Sequence, residues 1–271
     1  ETEIYMAKIG FIGMGNMGYA MLKGALREFD VQDIVFYDVN VDRMKQVSNE
    51  TKVDYLDSNV HVVRSVKYLI LAVKPQFYND VLKDIADEIE KENVVISIAP
   101  GITIKQLKDR IGFDARIVRA MPNTPALVGE GMTGVAYNPT EFNLEEKHII
   151  EKIFKAIGKM KIVNEKLMSA VTCASGSSPA YVFMFIEALA DGAVRCGMSR
   201  QDAYEFAAQT VYGSAKMVLE TKAHPGILKD MVCSPAGTTI DAVKVLEDNG
   251  FRSAIMKATE ACFDKCENCL L

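Results

Sequence analysis

A run of three glycines near the start of the chain limits its fold more than any other feature. The run is Gly13-Met14-Gly15-Asn16-Met17-Gly18, a G-x-G-x-x-G pattern that follows an apolar stretch and opens an amphipathic one. In such a turn the first glycine permits a tight bend, the second lets the backbone approach a pyrophosphate, and the third lets helix and strand pack closely. A turn that is merely tight does not need three glycines at this spacing. The run therefore predicts a dinucleotide site at the N-terminus of a helix.

Short β-branched runs alternate with amphipathic stretches through the first half of the chain. The predicted strands are Lys8–Gly13, Ile34–Asp38, Tyr68–Ala72, Val94–Ile98, Arg116–Ala120, Thr133–Tyr137 and Met160–Val163. The predicted helices include Met17–Phe29, Val41–Glu50, Phe77–Glu90 and Glu145–Ile157. This alternation is typical of a parallel sheet covered on both faces. We therefore predict a Rossmann-like, mostly parallel α/β domain over residues 6–164 and leave residues 1–5 out of the fold.

The strand pattern stops near Glu165, and helical stretches follow. They are Ala180–Cys196, a helix from Ser199 to about Glu220, Thr239–Asp248 and Ser253–Cys266. Because these stretches are apolar on more than one face, they favour packing against a second copy of the chain. We predict an all-α helical dimerisation domain over residues 165–271, which also carries a substrate loop, and hence a homodimer.

Composition and charge exclude several classes of protein. The 271 residues carry a formal net charge of -5, which gives no broad basic field for nucleic acid or for an anionic membrane. No apolar run approaches the roughly 20 residues of a membrane-spanning helix. No signal-peptide pattern is visible, so we expect a cytoplasmic protein. We expect its partner to be a small-molecule substrate rather than nucleic acid or a membrane.

The six cysteines admit two interpretations. Without a secretory signal we expect reduced thiols rather than disulfides. Cys262, Cys266 and Cys269 have the spacing C-x3-C-x2-C, which also holds iron–sulfur clusters, although such clusters lie near the start of larger folds. A cysteine-rich terminal helix explains the spacing without a cluster and is the interpretation that we favour, so we expect no metal.

The second predicted strand ends on an acidic residue, Asp38, 20 positions after Gly18. A carboxylate there accepts hydrogen bonds from the adenosine ribose hydroxyls and repels a 2′-phosphate. Because Val39 and Asn40 follow, rather than Arg and a hydroxyl residue, the sequence favours NADH over NADPH. Arg43, one turn later, would still be able to approach a phosphate.

Three stiff loops follow later strands of the same predicted sheet. They are Ala72-Val73-Lys74-Pro75, Ala99-Pro100-Gly101 and Met121-Pro122-Asn123-Thr124-Pro125. In an open α/β sheet, ligands bind beyond the carboxyl ends of the strands. Each loop alone has an ordinary structural explanation, but three at one edge favour a cofactor site.

Two small-residue loops stand out in the helical half. Ser234-Pro235-Ala236-Gly237-Thr238-Thr239 leads into a helix, so its amides are able to bind a carboxylate. Simple N-capping by Thr238 or Thr239 is the alternative. Ser175-Gly176-Ser177-Ser178-Pro179 reads as a second loop with the same two interpretations.

In these motifs and several others, the chain resembles the pyrroline-5-carboxylate reductase family. The matching motifs are Gly10–Gly15, Ala72–Pro75, Met121–Pro125, Ser175–Tyr181, His224–Gly226, Ser234–Thr239 and Phe251-Arg252. The resemblance extends over about residues 8 to 264. It implies reduction of 1-pyrroline-5-carboxylate to L-proline with NADPH or NADH, the last step of proline biosynthesis. It also implies interlocked dimers, often assembled into a decamer. Two positions depart from the family pattern, Ser178 in place of a glycine and Met231 in place of a polar residue.

The resemblance also implies roles for individual residues. The cofactor contacts would be the glycine turn (Gly13, Met14, Gly15, Asn16, Met17, Gly18), Asp38, Asn40, Asn59, Ala72, Val73, Lys74, Ala99, Pro100, Gly101 and Asn123. The substrate contacts would be Glu165, Ser234, Gly237, Thr238 and Thr239. Loop chemistry and resemblance together assign the Thr239 hydroxyl to the imine nitrogen, as the catalytic contact, and the Gly237–Thr239 amides to the carboxylate.

Two other functions remain possible on the sequence alone. β-Hydroxyacid dehydrogenases share the opening glycine run, but they use a lysine in a Gly-x-x-Gly-x-Gly-x-x-x-Lys setting that this chain lacks. A non-enzymatic nucleotide-sensing module is the other alternative. The second-domain loop and the absence of a basic segment argue against it.

Overall fold

The computed structural model of the protein describes residues 7–268, which divide into two compact units. The first contains residues 7–177 together with 262–268, and the second is Ser178–Ala261. The segment 165–177, which we assigned to the helical domain, thus groups with the first unit. The chain passes between the units twice, after Ser177 and before Cys262.

A single eight-stranded sheet forms the first unit, in the order β3-β2-β1-β4-β5-β6-β7-β8. The strands are β1 Ala7–Ile12, β2 Ile34–Tyr37, β3 Asp54–Tyr55, β4 Val66–Leu71, β5 Val94–Ser97, β6 Arg116–Met121, β7 Gly131–Tyr137 and β8 Gly158–Ile162. Strands β1 to β6 are parallel, β7 is antiparallel to β6, and β8 is parallel to β7. The predicted Rossmann-like, mostly parallel sheet is confirmed.

Six α-helices connect these strands, and a seventh follows β8. They are α1 Asn16–Ala25, α2 Val41–Thr51, α3 Asn59–Ser65, α4 Tyr78–Ile85, α5 Ile104–Ile111, α6 Leu144–Lys155 and α7 Met168–Val171. The helices pack on both faces of the sheet because side chains alternate along each buried strand. On β4, Tyr68 and Ile70 join the cluster beneath α1 and α6, whereas Leu69 and Leu71 join the cluster beneath α3 to α5.

The second unit is entirely helical, as predicted. Its helices are α8 Ser178–Arg195, α9 Arg200–Thr221, α10 Pro225–Val232, α11 Thr238–Asp248 and the first part of α12 Phe251–Glu267. Its buried hydrophobic cluster consists of three alanines, Ala190, Ala203 and Ala207, where α8 and α9 pack against each other. Small side chains let two helices approach closely but bury little apolar area.

One predicted loop is wrong. Ser175 and Gly176 lie in a π-helical turn, Thr172–Gly176, that continues α7, and Ser178 already begins α8. The serines and glycine predicted a loop, but the chain stays helical because the turn packs against the end of β6 and the loop that follows it. The Ser175 carbonyl accepts a hydrogen bond from Asn123, and a Cβ on Gly176 would lie 2.5 Å from Met121.

Candidate functional site

Every loop that the sequence assigned to the cofactor lies at one edge of the first unit. Strands β1 to β6 are parallel, so their carboxyl ends all point to that edge. The chain order reverses between β1 and β4, which are neighbours in the sheet. Such a reversal opens a crevice above the strand ends, which is where ligands bind in this class of sheet.

The three glycines of the turn have three different environments. A Cβ on Gly13, whose φ is +96°, would lie 2.9 Å from the Ala72 carbonyl oxygen. A Cβ on Gly18 would lie 2.3 Å from the Gly13 carbonyl oxygen. Gly15 has nothing within 4 Å of its Cβ position, and its φ of −68° suits any residue. The fold itself therefore requires Gly13 and Gly18, whereas Gly15 leaves open the space that an approaching pyrophosphate needs.

Asp38 and Arg43 hold the same residue of the turn from opposite sides. The Met14 amide donates a 2.6 Å hydrogen bond to one carboxylate oxygen of Asp38, and the Asn40 amide donates to the other at 2.8 Å. Arg43 Nε donates to the Met14 carbonyl at 2.9 Å. The two residues that the sequence singled out for cofactor choice thus also fix the glycine turn.

A closed set of side chains positions Arg43. Its guanidinium lies 4.7 Å from the centre of the Tyr19 ring and donates to Gln46 at 3.1 Å. Gln46 and Tyr19 both donate to the Glu50 carboxylate, at 3.0 and 2.6 Å. These hydrogen bonds, the Tyr19 one foremost, hold the pKa of Glu50 below its ordinary value. Sequence reasoning missed this ring, although its α2 members stand three and four residues apart.

Tyr78 was also missed, and it lies beneath two of the predicted cofactor loops. Its ring is fully buried, and its hydroxyl lies 2.9 Å from the Leu71 carbonyl oxygen and 3.0 Å from Ser97 Oγ. Leu71 and Ser97 end strands β4 and β5, so one side chain links the starts of both loops. Burial raises the pKa of Tyr78 and keeps it neutral.

The remaining predicted cofactor residues differ in exposure. Ala99 and Gly101 are buried, Ala72, Val73 and Pro100 are half-buried, and Lys74, Asn16 and Asn40 are exposed. Asn59 is the first residue of α3 and donates to Asp84 at 3.2 Å. Asn123 is 8% exposed, donates to the Ser175 carbonyl and accepts from the Met132 amide, so its amide holds its own loop in place.

Glu165, a predicted substrate contact, lies in the first unit. Its carboxylate accepts from the Ile104 amide at 2.7 Å and forms an ion pair with Arg119 at 3.2 Å. Arg119 is a buried charge that this pair compensates. Glu165 and Arg119 line a polar cavity of about 440 Å³, and Gly101 and Lys166 also line it.

The other predicted substrate residues, Ser234, Gly237, Thr238 and Thr239, form a tight turn in the second unit. The Gly237 amide donates to the Ser234 carbonyl at 3.1 Å, and Ala236 has a left-handed φ of 55°. Gly237 is the N-cap of α11, and no side chain caps that helix. N-capping by Thr238 or Thr239 is therefore wrong, since both residues lie inside the first turn of the helix.

The two helices at the predicted ligand loops share one feature. Both α1 and α11 have glycine N-caps, Gly15 and Gly237, without a side-chain hydrogen bond to the first-turn amides. Side chains do cap α2, α3, α5, α6, α9 and α10. Glycine caps leave amide donors and the positive end of the helix dipole available to an anion.

Neither a metal-binding cluster nor a membrane-spanning helix is found within residues 7–268. Within that range no group of three or more His, Cys, Asp or Glu residues is arranged to hold a metal ion. Cys269, the third cysteine of the C-x3-C-x2-C spacing, lies outside the described residues. No helix of the same range is both long and apolar enough to cross a membrane.

Two family models and several nearly full-length relatives match this chain. A model of pyrroline-5-carboxylate reductase dimerisation matches residues 165–269, and a model of coenzyme F420-dependent NADP oxidoreductases matches residues 8–101. The Escherichia coli (strain K12) pyrroline-5-carboxylate reductase is 47% identical over 262 residues, covering 96% of this chain and 97% of the relative. The Methanosarcina acetivorans enzyme is 46% identical over 253 residues, covering 93% of each chain.

Solved structures give the same answer. The Plasmodium falciparum pyrroline carboxylate reductase, crystallised with NADP bound, has a TM-score of 0.88 at 33% identity and covers 96% of this chain and 97% of its own. The Coxiella burnetii enzyme has a TM-score of 0.87 at 33% identity, covering 97% and 98%. Because named reductases are 46% to 47% identical over nearly the full length of both chains, the chain belongs to the pyrroline-5-carboxylate reductase family.

Proposed function

We propose that the protein reduces 1-pyrroline-5-carboxylate to L-proline, with NADH or NADPH as hydride donor, the last step of proline biosynthesis. The observation that carries the proposal is the 47% identity to a named reductase over 96% of the chain. The nicotinamide supplies the hydride when bound. The residues of this chain bind, orient and shield the two reactants, which is how an enzyme with a preactivated electrophile gains most of its rate.

Each half of the protein has a separate task in this reaction. The open position at Gly15 and the uncapped N-terminus of α1 suit the pyrophosphate of a dinucleotide. The uncapped N-terminus of α11 suits the substrate carboxylate, through the amides of Gly237 to Thr239. We assign to the Thr239 hydroxyl the hydrogen bond to the imine nitrogen as it becomes an amine. A protonated imine accepts hydride without a metal or a strong acid, so these contacts suffice.

A substrate panel tests the proposal against the enzymatic alternative. Oxidation of the nicotinamide cofactor is followed at 340 nm with pyrroline-5-carboxylate and, separately, in reverse with a panel of β-hydroxyacids. We expect turnover with the cyclic imine only. Turnover of a hydroxyacid at a higher kcat/KM would assign the chain to the dehydrogenase class. Nucleotide binding without turnover of either would favour the sensing module.

The preferred cofactor in our proposal is NADH. Asp38 is fixed at the end of β2 by two amide donors, where its negative charge repels a 2′-phosphate. The test compares kcat/KM for both cofactors at equal ionic strength in the parent and in the variant D38S/V39R. In the variant we expect a lower ratio of kcat/KM for NADH to kcat/KM for NADPH. The substitutions remove the carboxylate that repels the 2′-phosphate and add an arginine that donates hydrogen bonds to it. A parent enzyme that prefers NADPH would contradict the proposal and would point to Arg43 as the phosphate partner.

A homodimer, with each active site built from two chains, completes the proposal. The match to a dimerisation model over residues 165–269 supports the dimer, and a larger assembly such as a decamer follows from the family resemblance. Gly15→Asp blocks the nucleotide half, and Thr239→Val with Gly237→Asp disables the substrate half. If sites are shared, co-expression restores about a quarter of the parent activity, since half of the dimers are mixed and one of their two sites is whole. Verified mixed dimers without activity would mean that each chain completes its own site.

We also place the protein in the cytoplasm, as a reductase without contacts to nucleic acid or membrane. The net charge of -5 supports this, because polyanions are not attracted to it. Immunolocalisation in the source cells is the direct test, and enrichment in a membrane or organelle fraction would contradict it.

A further inference from the structure

The predicted cofactor loop after β4 is closed by the residue that follows it. This loop, residues 72–77, lies between Leu71, the last residue of β4, and Tyr78, the first residue of α4. The Tyr78 hydroxyl reaches back to the Leu71 carbonyl oxygen at 2.9 Å. Within the loop, the Phe77 amide donates to the Lys74 carbonyl at 2.9 Å. The two ends of the loop are therefore held together by one side chain.

The directions of the hydrogen bonds at Tyr78 follow from the atoms involved. A carbonyl oxygen can only accept, so the Tyr78 hydroxyl donates its one proton to Leu71. The second bond, 3.0 Å long, is then donated by the Ser97 hydroxyl to the Tyr78 oxygen. Ser97 is the last residue of β5 and directly precedes Ile98 and the loop Ala99–Gly101. A chain of hydrogen bonds thus runs from the end of β5 through Tyr78 to the end of β4.

This chain lies out of reach of solvent. Tyr78 and Ser97 are both 0% exposed. Loss of the Tyr78 oxygen would remove a donor from the Leu71 carbonyl and an acceptor from the Ser97 hydroxyl. Buried polar groups that lose a partner carry a desolvation cost, so the two strand ends would have to move to find new partners.

The loop that Tyr78 closes also packs on the glycine turn. The Ala72 amide donates to the Ile12 carbonyl at 2.8 Å, and a Cβ on Gly13 would lie 2.8 Å from Val73 Cγ1. A shift of Ala72 and Val73 would therefore displace the turn that leads to the open position at Gly15.

We propose that Tyr78 is a positioning residue for the dinucleotide. Its hydroxyl fixes the loop after β4 relative to the loop after β5 and to the glycine turn, and thereby sets the affinity for NADH. Because the side chain is fully buried, it acts through these loops and not by contact with the cofactor. The inference rests on the nucleotide binding in our proposed function.

The test is the variant Tyr78→Phe, which keeps the ring and removes the hydroxyl. We expect the Kd for NADH to rise about tenfold, because two buried hydrogen bonds that hold the loops are lost. The KM for pyrroline-5-carboxylate should hold within about twofold. The Kd is measured by titrating NADH fluorescence, which is free of tryptophan emission because the chain has no tryptophan. A purely structural role would lower the melting temperature and leave the Kd unchanged.

Two matched controls on β4 separate positioning from other effects. Tyr68→Phe removes the hydroxyl of a second buried tyrosine, whose ring lies in the cluster on the other face of the sheet. Ile70→Val leaves a small cavity in that other cluster and lowers the melting temperature. Both variants should bind NADH like the parent. Ser97→Ala keeps the bond to Leu71 and loses the one to β5, so we expect its Kd to rise about threefold.

Two results would overturn the inference. One is a Tyr78→Phe protein with the parent's Kd for NADH, which would make Tyr78 a core residue only. The other is an Ile70→Val protein that binds NADH as weakly as Tyr78→Phe at the same melting temperature, because lost stability would then explain the effect. If Tyr78→Phe does not fold, an unchanged Kd in Ser97→Ala overturns the inference instead.

Failure of the proposed function gives a different result. A parent protein that binds NADH but does not reduce pyrroline-5-carboxylate would contradict the reaction alone, and the NADH titrations would still decide the role of Tyr78. A parent that binds no NADH would refute the nucleotide site and this inference together.

Discussion

The two compact units of this protein bury their apolar side chains to very different extents. In the first unit, strands β4 and β5 are almost fully buried, and even a carboxylate, Glu146, is enclosed with its partners Arg116 and Lys67. In the second unit, Phe183, Met184 and Phe206 are between 60% and 68% exposed. The first unit contains two large buried hydrophobic clusters, whereas the buried cluster of the second unit consists of three alanines.

The difference shows which apolar surface a single chain leaves unburied when it folds. The helical unit has an apolar groove of about 470 Å³, lined by Phe185, Leu189, Phe251 and neighbouring side chains. Exposed apolar area on this scale is rare on a protein that acts alone, and association removes it from water at about 25 cal/mol per Å². This surface is what a dimerisation domain needs, whereas the sheet unit already has two large buried clusters of its own.

The largest expected effect comes from putting a charge on the exposed helical face. In Phe206→Asp we expect the particle to become monomeric by light scattering and kcat/KM to fall by about 100-fold or more, because a buried interface does not tolerate an unpaired carboxylate. Nucleotide binding by the first unit should persist. The matched control is Phe113→Asp, which alters a phenylalanine that is 88% exposed on the first unit and should change neither property.

A Phe206→Asp protein that stays dimeric and active would show that this helical face is not the dimer interface. So would a Phe113→Asp protein that dissociates, since the interface would then lie on the sheet unit.

The next effect separates catalysis in the second unit from its folding. In Thr239→Val the shape is kept and the hydroxyl is lost, so we expect kcat/KM to fall roughly ten- to a hundredfold, or about 1.4 to 2.8 kcal/mol. The melting temperature should hold, because no side-chain cap is lost at α11. Steady-state kinetics with pyrroline-5-carboxylate and a thermal scan measure the two quantities. Unchanged kinetics would remove Thr239 from the catalytic site.

A smaller effect distinguishes two glycines of the first unit. Gly15→Ala fills space where no protein atom lies within 4 Å, so we expect the KM for the nicotinamide cofactor to rise about tenfold at unchanged stability. Gly18→Ala places a Cβ 2.3 Å from the Gly13 carbonyl oxygen, so we expect a lower melting temperature. A stable Gly18→Ala protein, or a Gly15→Ala protein with normal KM, would reverse these assignments.

The sequence predicted the parts of the fold that depend on local pattern. Apolar periodicity located most of the strands and the long helices, and the glycine spacing located the β1–α1 turn. It did not reveal β3, which has only two residues, or α3, which is one and a half to two turns long. Short elements carry too few residues to show a period.

The parts that failed depend on contacts between distant residues. The Arg43–Met14 hydrogen bond and the Arg119–Glu165 ion pair join positions far apart in the chain, and no spacing rule connects them. Ser175 and Gly176 gave a loop signal, but packing against Asn123 and Met121 keeps them helical. Local propensity is a weak preference that tertiary contacts override.

The smallest expected effect tests the backbone of the substrate turn. Ala236 has a left-handed φ of 55°, which costs a non-glycine residue about 1 to 2 kcal/mol. In Ala236→Gly this cost disappears, while glycine adds about 0.5 to 1 kcal/mol of unfolded-chain entropy, so we expect stability to stay equal or rise by at most about 1.5 kcal/mol. The control Ala254→Gly changes an exposed residue inside α12 and should lose about 1 kcal/mol. Both variants are compared by denaturant titration at one protein concentration, since a dimer's stability depends on it. Equal destabilisation in the two would mean that the turn in solution does not hold Ala236 in the left-handed conformation, and the amides that it presents at Gly237 would then need another arrangement.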